Sequence, residues 1–67
     1  MKNCRDLLFE EYGNMKINIQ KYEAVILSES FDTLSTVDKN DIREQLKHMK
    51  DYYKVLFRRV SRQCNNA

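Results

Sequence analysis

The sequence predicts an all-α protein: an antiparallel two-helix hairpin with a short helical turn in its connection, dimerising into a four-helix arrangement. Three observations carry this. Proline is absent and glycine occurs once in 67 residues, so the strongest helix breakers are almost missing. Two apolar stripes of equal length repeat the same spacing, one in each half of the chain. And the two stripes pair, end to end, in a single antiparallel register.

The first helix is expected over about 5–27. Leu8, Tyr12, Met15, Ile19, Tyr22 and Ile26 follow spacings of 4, 3, 4, 3 and 4. That mean period of about 3.5 is the one coiled-coil helices use to stay in contact. The connection, about 28–36, is rich in Ser, Thr and Asp, whose side chains compete with helical backbone bonds. Phe31 and Leu34 are apolar within it, and a short helical turn would plug both into the closed end. Ser35 followed by Asp38 resembles a capping box, with Asp in place of Glu. Asp38 and Asp41 also suit the positive end of a helix. The second helix, about 37–63, carries Ile42, Leu46, Met49, Tyr53, Leu56 and Val60, again at 4, 3, 4, 3 and 4. The whole chain, 1–67, reads as one domain.

Residues facing each other across an antiparallel hairpin have numbers of constant sum. Ile26 with Ile42, Tyr22 with Leu46, Ile19 with Met49, Met15 with Tyr53, Tyr12 with Leu56 and Leu8 with Val60 all add to 68. In this register Glu23 falls beside Arg43 and Glu11 beside Arg59, whereas Lys16 beside Lys50 is a like-charge exception. Exposed ion pairs contribute little individually, so they help to select register.

A two-helix seam leaves each side chain half wet, and a chain this short builds a thin core. Further apolar residues lie off the seam: Phe9 and Phe57 on one flank at the open end, Val25, Tyr52 and Val55 on or near the other, and Ile17 almost opposite the seam. Six such residues on a short rod predict a self-association or partner face, with a symmetric dimer the simplest solution. Gly13 lies inside the first helix, marking either a close helix approach or a tolerated imperfection.

Catalytic and metal chemistry find little support. His48, the one histidine, has Glu44 a turn away, which predicts a solvated Glu–His pair rather than a ligand set. The serines lack a base partner, and no Gly-rich phosphate loop occurs. The expectation is a non-enzyme without cofactor. No apolar run reaches the roughly 18 residues of a membrane span, and the first residues lack the apolar region of a signal peptide. A soluble, cytoplasmic protein is expected, with Cys4 and Cys64 as reduced thiols. Both cysteines lie near the open end and also sum to 68, so geometry leaves a bridge open.

Charge is uneven. Residues 1–34 carry four Lys/Arg and six Asp/Glu, residues 35–67 eight and four, within a net charge of +2. Lys39, Arg43, Lys47, Lys50, Lys54, Arg58 and Arg62 form a basic stripe on the second helix. Nucleic-acid binding would use such a row with salt-sensitive affinity. The favoured reading is a solvated face, partly paired with Asp6, Glu10 and Glu11 and interrupted by Glu44 and Asp51.

Phe31, Leu34, Asp38, Ile42, Gln45, Leu46, Met49, Tyr52, Val55, Leu56, Arg59 and Val60 form a pattern resembling the second half of very small phage and prophage proteins. The chain is most similar to the helical proteins of the early, exo–xis region of lambdoid phages. The resemblance spans about half the chain and consists largely of packing residues. It implies an oligomeric helical hairpin of the host bacterial cytoplasm, without established enzymatic role, acting by contact with a host protein. It transfers no functional residue.

Overall fold

A computed structural model describes residues 3–65, with side chains described through Gln63. Helix α1 spans Cys4–Ile26, the one-turn helix α2 Glu29–Asp32, and helix α3 Thr36–Asn65. The long helices α1 and α3 pack against each other as a hairpin, and α2 lies in the bend. The molecule measures 49 × 21 × 17 Å. Its length is set by α3, since 30 residues at about 1.5 Å each give roughly 45 Å. Helix α1 is shifted one residue toward the N-terminus of the expected span, and α3 begins earlier and ends later than expected. No proline or glycine stands near residue 63 to stop it.

Side-chain hydrogen bonds mark four of the helix ends. Asn3, in extended conformation, accepts the Asp6 backbone N–H on its side-chain oxygen at 2.9 Å, capping α1. At the other end no glycine is used. Leu27 keeps right-handed helical angles, and the Ser28 hydroxyl donates at 2.6 Å to the Val25 carbonyl, which also accepts the Ser28 backbone N–H at 3.0 Å. Thr33 does the same for the Ser30 carbonyl at 2.7 Å. Ser35 accepts the Asp38 N–H at 3.1 Å, and α3 starts on that turn.

Leu8, Ile19, Phe31, Leu46 and Leu56 are buried, and Leu56 is fully enclosed. The remaining eight seam residues, Tyr12, Met15, Tyr22, Ile26, Ile42, Met49, Tyr53 and Val60, are half-buried. This is what a seam between only two helices produces: one side of each side chain is covered and the other is not. At the closed end Phe31 is buried and Leu34 half-buried. Arg43 and Lys39 lie over the Phe31 ring, 5.2 and 5.8 Å from its centroid.

Contacts between the helices straddle the sum of 68. Tyr22 accepts from Gln45 Nε2 at 3.0 Å (sum 67), and the Tyr12 and Phe57 rings are 6.4 Å apart (sum 69). Tyr12 also stacks on Tyr53, at 4.9 Å and 10° between planes, with the Tyr53 hydroxyl donating to Tyr12 at 3.0 Å. Tyr12 thus wedges between Tyr53 and the next turn of α3 rather than resting on Leu56 alone, because long rings reach the diagonal neighbour.

Gly13 needs no close approach within the chain. A Cβ added there meets nothing within 4 Å, and its backbone is not left-handed. Gly13→Ala is expected to raise stability by about 1 kcal/mol through helix propensity alone, read as a higher urea midpoint at unchanged slope. A lower midpoint would show that something occupies this space.

Candidate functional site

The cross-helix bonds of the hairpin define two flanks. On one, the Tyr52 hydroxyl donates to the Glu11 carboxylate, and Tyr22 meets Gln45. On the other, Lys50 Nζ lies 3.3 Å from Glu23. That contact explains how the chain tolerates Lys16 beside Lys50. A helical side chain leans toward its own N-terminus, and for Lys50 that direction leads along α1 toward Glu23. Glu23 therefore pairs with Lys50, while Arg43, its expected neighbour, lies over Phe31.

On the Tyr52 flank, the carboxylate acting as acceptor holds the Tyr52 hydroxyl above the usual tyrosine value. Desolvation and the negative charge of Glu11 act in the same direction, and Arg59 opposes them. Tyr12 is raised as well, first through its hydrogen bond with Tyr53 and then through burial. Both tyrosines are more readily deprotonated when unfolded. The stability they contribute is therefore present below about pH 10, the ordinary tyrosine value, and is lost as pH rises through their folded-state values. Glu11→Gln is expected to bring the Tyr52 titration down toward that ordinary value, followed by tyrosinate absorbance against a Tyr52→Phe reference. An unmoved curve would remove Glu11 as the cause.

Of the six off-seam residues, Phe9 is half-buried with the Arg5 guanidinium 5.5 Å from its ring centroid. Ile17, Val25, Tyr52, Val55 and Phe57 are exposed. Three further exposed residues were missed: Leu7 at 53%, Leu27 at 88% and Val37 at 69%. Leu27 and Val37 border the bend, just outside the periodic stripes. Leu7 did leave a signal: it stands 18 residues before Val25, five full turns, and so shares its face.

Lys47, Lys50, Lys54, Arg58 and Arg62 are all exposed. Among the described residues only Lys50 of these forms an ion pair. Glu11 does not neutralise the stripe, since its carboxylate is engaged by Tyr52 on the opposite flank. Arg43, Lys47, Lys50 and Lys54 line one shallow groove with a single acid, Asp51. At the open end, Arg5, Arg59 and Arg62 border a cleft of about 490 Å³ with Asn3 and Gln63.

His48 Nε2 lies 3.6 Å from Glu44, both side chains exposed. Among the described residues no three His, Cys, Asp or Glu side chains gather as a metal site. Cys4 is exposed; the Cys64 side chain, and with it the Cys4–Cys64 pairing, lies outside the described residues. No helix among the described residues is long and apolar enough to cross a membrane.

A family model described as Sequestin matches residues 3–62. The chain belongs to the Sequestin family. The matched span runs from the Asn3 cap to Arg62, so both seam stripes, the Phe31 plug and both flanks of this Sequestin hairpin fall within it. No curated protein and no solved structure matches.

Proposed function

We propose that this hairpin is a non-enzymatic accessory protein of the small phage and prophage type, of the lambdoid early-region kind. It acts in the bacterial cytoplasm by protein–protein contact and modulates a host process, as a dimer of four-helix arrangement. One observation carries the reading. Among the described residues eight large hydrophobic side chains are exposed, against five hydrophobic side chains buried. A fold that shows more of its large apolar side chains than it hides presents binding surface.

The test is affinity capture with the purified full-length chain, followed by reconstitution of the captured protein. A host protein that rebinds the purified chain at defined stoichiometry, and is lost with Phe57→Asp, supports the reading. Recovery of nucleic acid alone overturns it.

A second reading, a small nucleic-acid-binding regulator, is favoured by one observation: Lys47, Lys54, Arg58 and Arg62 are exposed without ion pairs among the described residues. Titration against duplex DNA at two salt concentrations decides it. Phosphate contacts release counterions, so binding must weaken with salt; absent or salt-independent binding ends this reading.

A further inference from the structure

We infer that two copies of this hairpin dock through the Tyr52 flank, antiparallel, with the twofold axis at the mid-level of α1 and at Tyr52 on α3. This rests on the self-association proposed above and adds its face, direction and register.

The flank carries a second periodic stripe. On α1, Leu7, Glu11, Asn14, Asn18, Lys21 and Val25 repeat the spacings 4, 3, 4, 3 and 4 of the seam, and all six are exposed. Leu7, Glu11, Asn14 and Asn18 line one continuous groove with Glu10 and Met15. The bond from Tyr52 to Glu11 fixes this groove on the Tyr52 side of the hairpin. Read from one end, the stripe runs apolar, acid, amide, amide, base, apolar. Read from the other, acid and base exchange places and everything else is unchanged.

Such a sequence is complementary to itself when reversed. An antiparallel copy whose facing numbers sum to 32 sets Leu7 against the partner's Val25, Glu11 against the partner's Lys21, and Asn14 against the partner's Asn18. Every contact is apolar on apolar, acid on base or amide on amide. An interface that pairs one surface with its own copy requires this of the sequence.

The same axis meets α3 near residue 52. A stripe centre at 16 on α1 corresponds, in a hairpin whose facing residues sum to 68, to residue 52 of α3. Tyr52 stands there, 41% exposed, and meets the partner's Tyr52 across the axis. Around it, Gln45 faces the partner's Arg59, and Asp41 faces the partner's Arg62 or Gln63, again without like charges in contact. Val55, exposed, lies beside the axis and adds apolar surface at its centre.

The opposite flank cannot serve a second copy in this way. Its groove holds Arg43, Lys47, Lys50 and Lys54 against one Asp51, so a twofold there brings cations onto cations. Docking through the Tyr52 flank leaves Arg43, Lys47, Lys50 and Lys54 of both copies facing outward.

The experiment uses the full-length chain with Cys4→Ala and Cys64→Ala, into which Leu7→Cys and Val25→Cys are introduced together. On one helix these positions are about 27 Å apart, far beyond the roughly 7 Å Cα separation a disulfide spans. Any bridge between them therefore joins two chains. Oxidation is expected to give a covalent dimer held by two bridges, whereas Leu7→Cys alone gives little. Tyr52→Cys, on the axis, is expected to cross-link by itself and covers the case in which the double variant fails to fold. Phe57→Cys, on the basic flank, is the counter-probe. Sedimentation of the reduced, cysteine-free chain separates the two levels of failure. Mass at the single-chain 8.1 kDa overturns self-association and this arrangement together. Mass at twice that value without bridging through Leu7–Val25 or Tyr52, or with faster bridging through Phe57, overturns the arrangement alone.

Discussion

Leu56→Ala is expected to unfold much of the protein at 25 °C. Among the described residues Leu56 is the fully enclosed side chain, and in the seam register it faces Tyr12. Truncating a buried leucine removes its transfer energy and leaves a cavity, together costing about 2–5 kcal/mol. A domain of this length commands only about 3–10 kcal/mol in total, at roughly 0.05–0.15 kcal/mol per residue. The loss is thus comparable to the whole stability. The measurement is urea denaturation followed by far-ultraviolet circular dichroism, with Leu27→Ala alongside. Leu27 is 88% exposed, and its truncation should stay within about 0.5 kcal/mol of wild type. Equal midpoints for the two variants would contradict the seam.

Phe31→Ala is expected to cost about 3–5 kcal/mol and to melt the bend selectively. Helix α2 has four residues, too short to persist by propensity. Its one buried side chain is Phe31, 3% exposed and covered by the Arg43 guanidinium and the Lys39 ammonium. Removing the ring takes away the anchor of α2 and the surface on which both cations rest. Phe31→Leu separates the two: it keeps most of the burial and loses the aromatic face, so it should recover all but about 1 kcal/mol of the loss. Amide exchange supplies the local readout, with faster exchange at Phe31 and Leu34 in Phe31→Ala. Unchanged protection there would show that the bend is held by other contacts.

The seam was legible in the sequence because its period is a property of residue type at fixed spacing. All twelve residues the repeat marks are buried or half-buried, as are Phe9, Gly13, Lys39 and Ser61 beside them, and Phe31 stood out as a large apolar residue in a polar segment. The flanks were less legible, because exposed contacts depend on side-chain reach as well as position. Glu23 was expected beside Arg43, but the long Lys50 chain gets there first and Arg43 lies against an aromatic ring. Glu11 was expected to neutralise basic residues and instead accepts from a tyrosine hydroxyl. Asn3 gave no sign as a cap, since the first apolar residue of the seam comes five positions later. Leu7 was hidden by its neighbour: in Leu7-Leu8 only one residue fits the seam, and the other shares its face with Val25 five turns on.

The bend also sets the order in which the molecule comes together. Ile26 and Ile42 are 16 residues apart along the chain, whereas Leu8 and Val60 are 52 apart. Entropy of loop closure rises with separation, though only logarithmically, and each closed pair shortens the free loop seen by the next. Growth outward from Phe31 thus meets small, successive barriers, while the termini, joined last, open first. A gradient of hydrogen-exchange rates should follow, slowest near Ile42 and Leu46 and quickening toward Leu8 and Val60, so that breathing is concentrated at the end where Arg5, Arg59 and Arg62 gather.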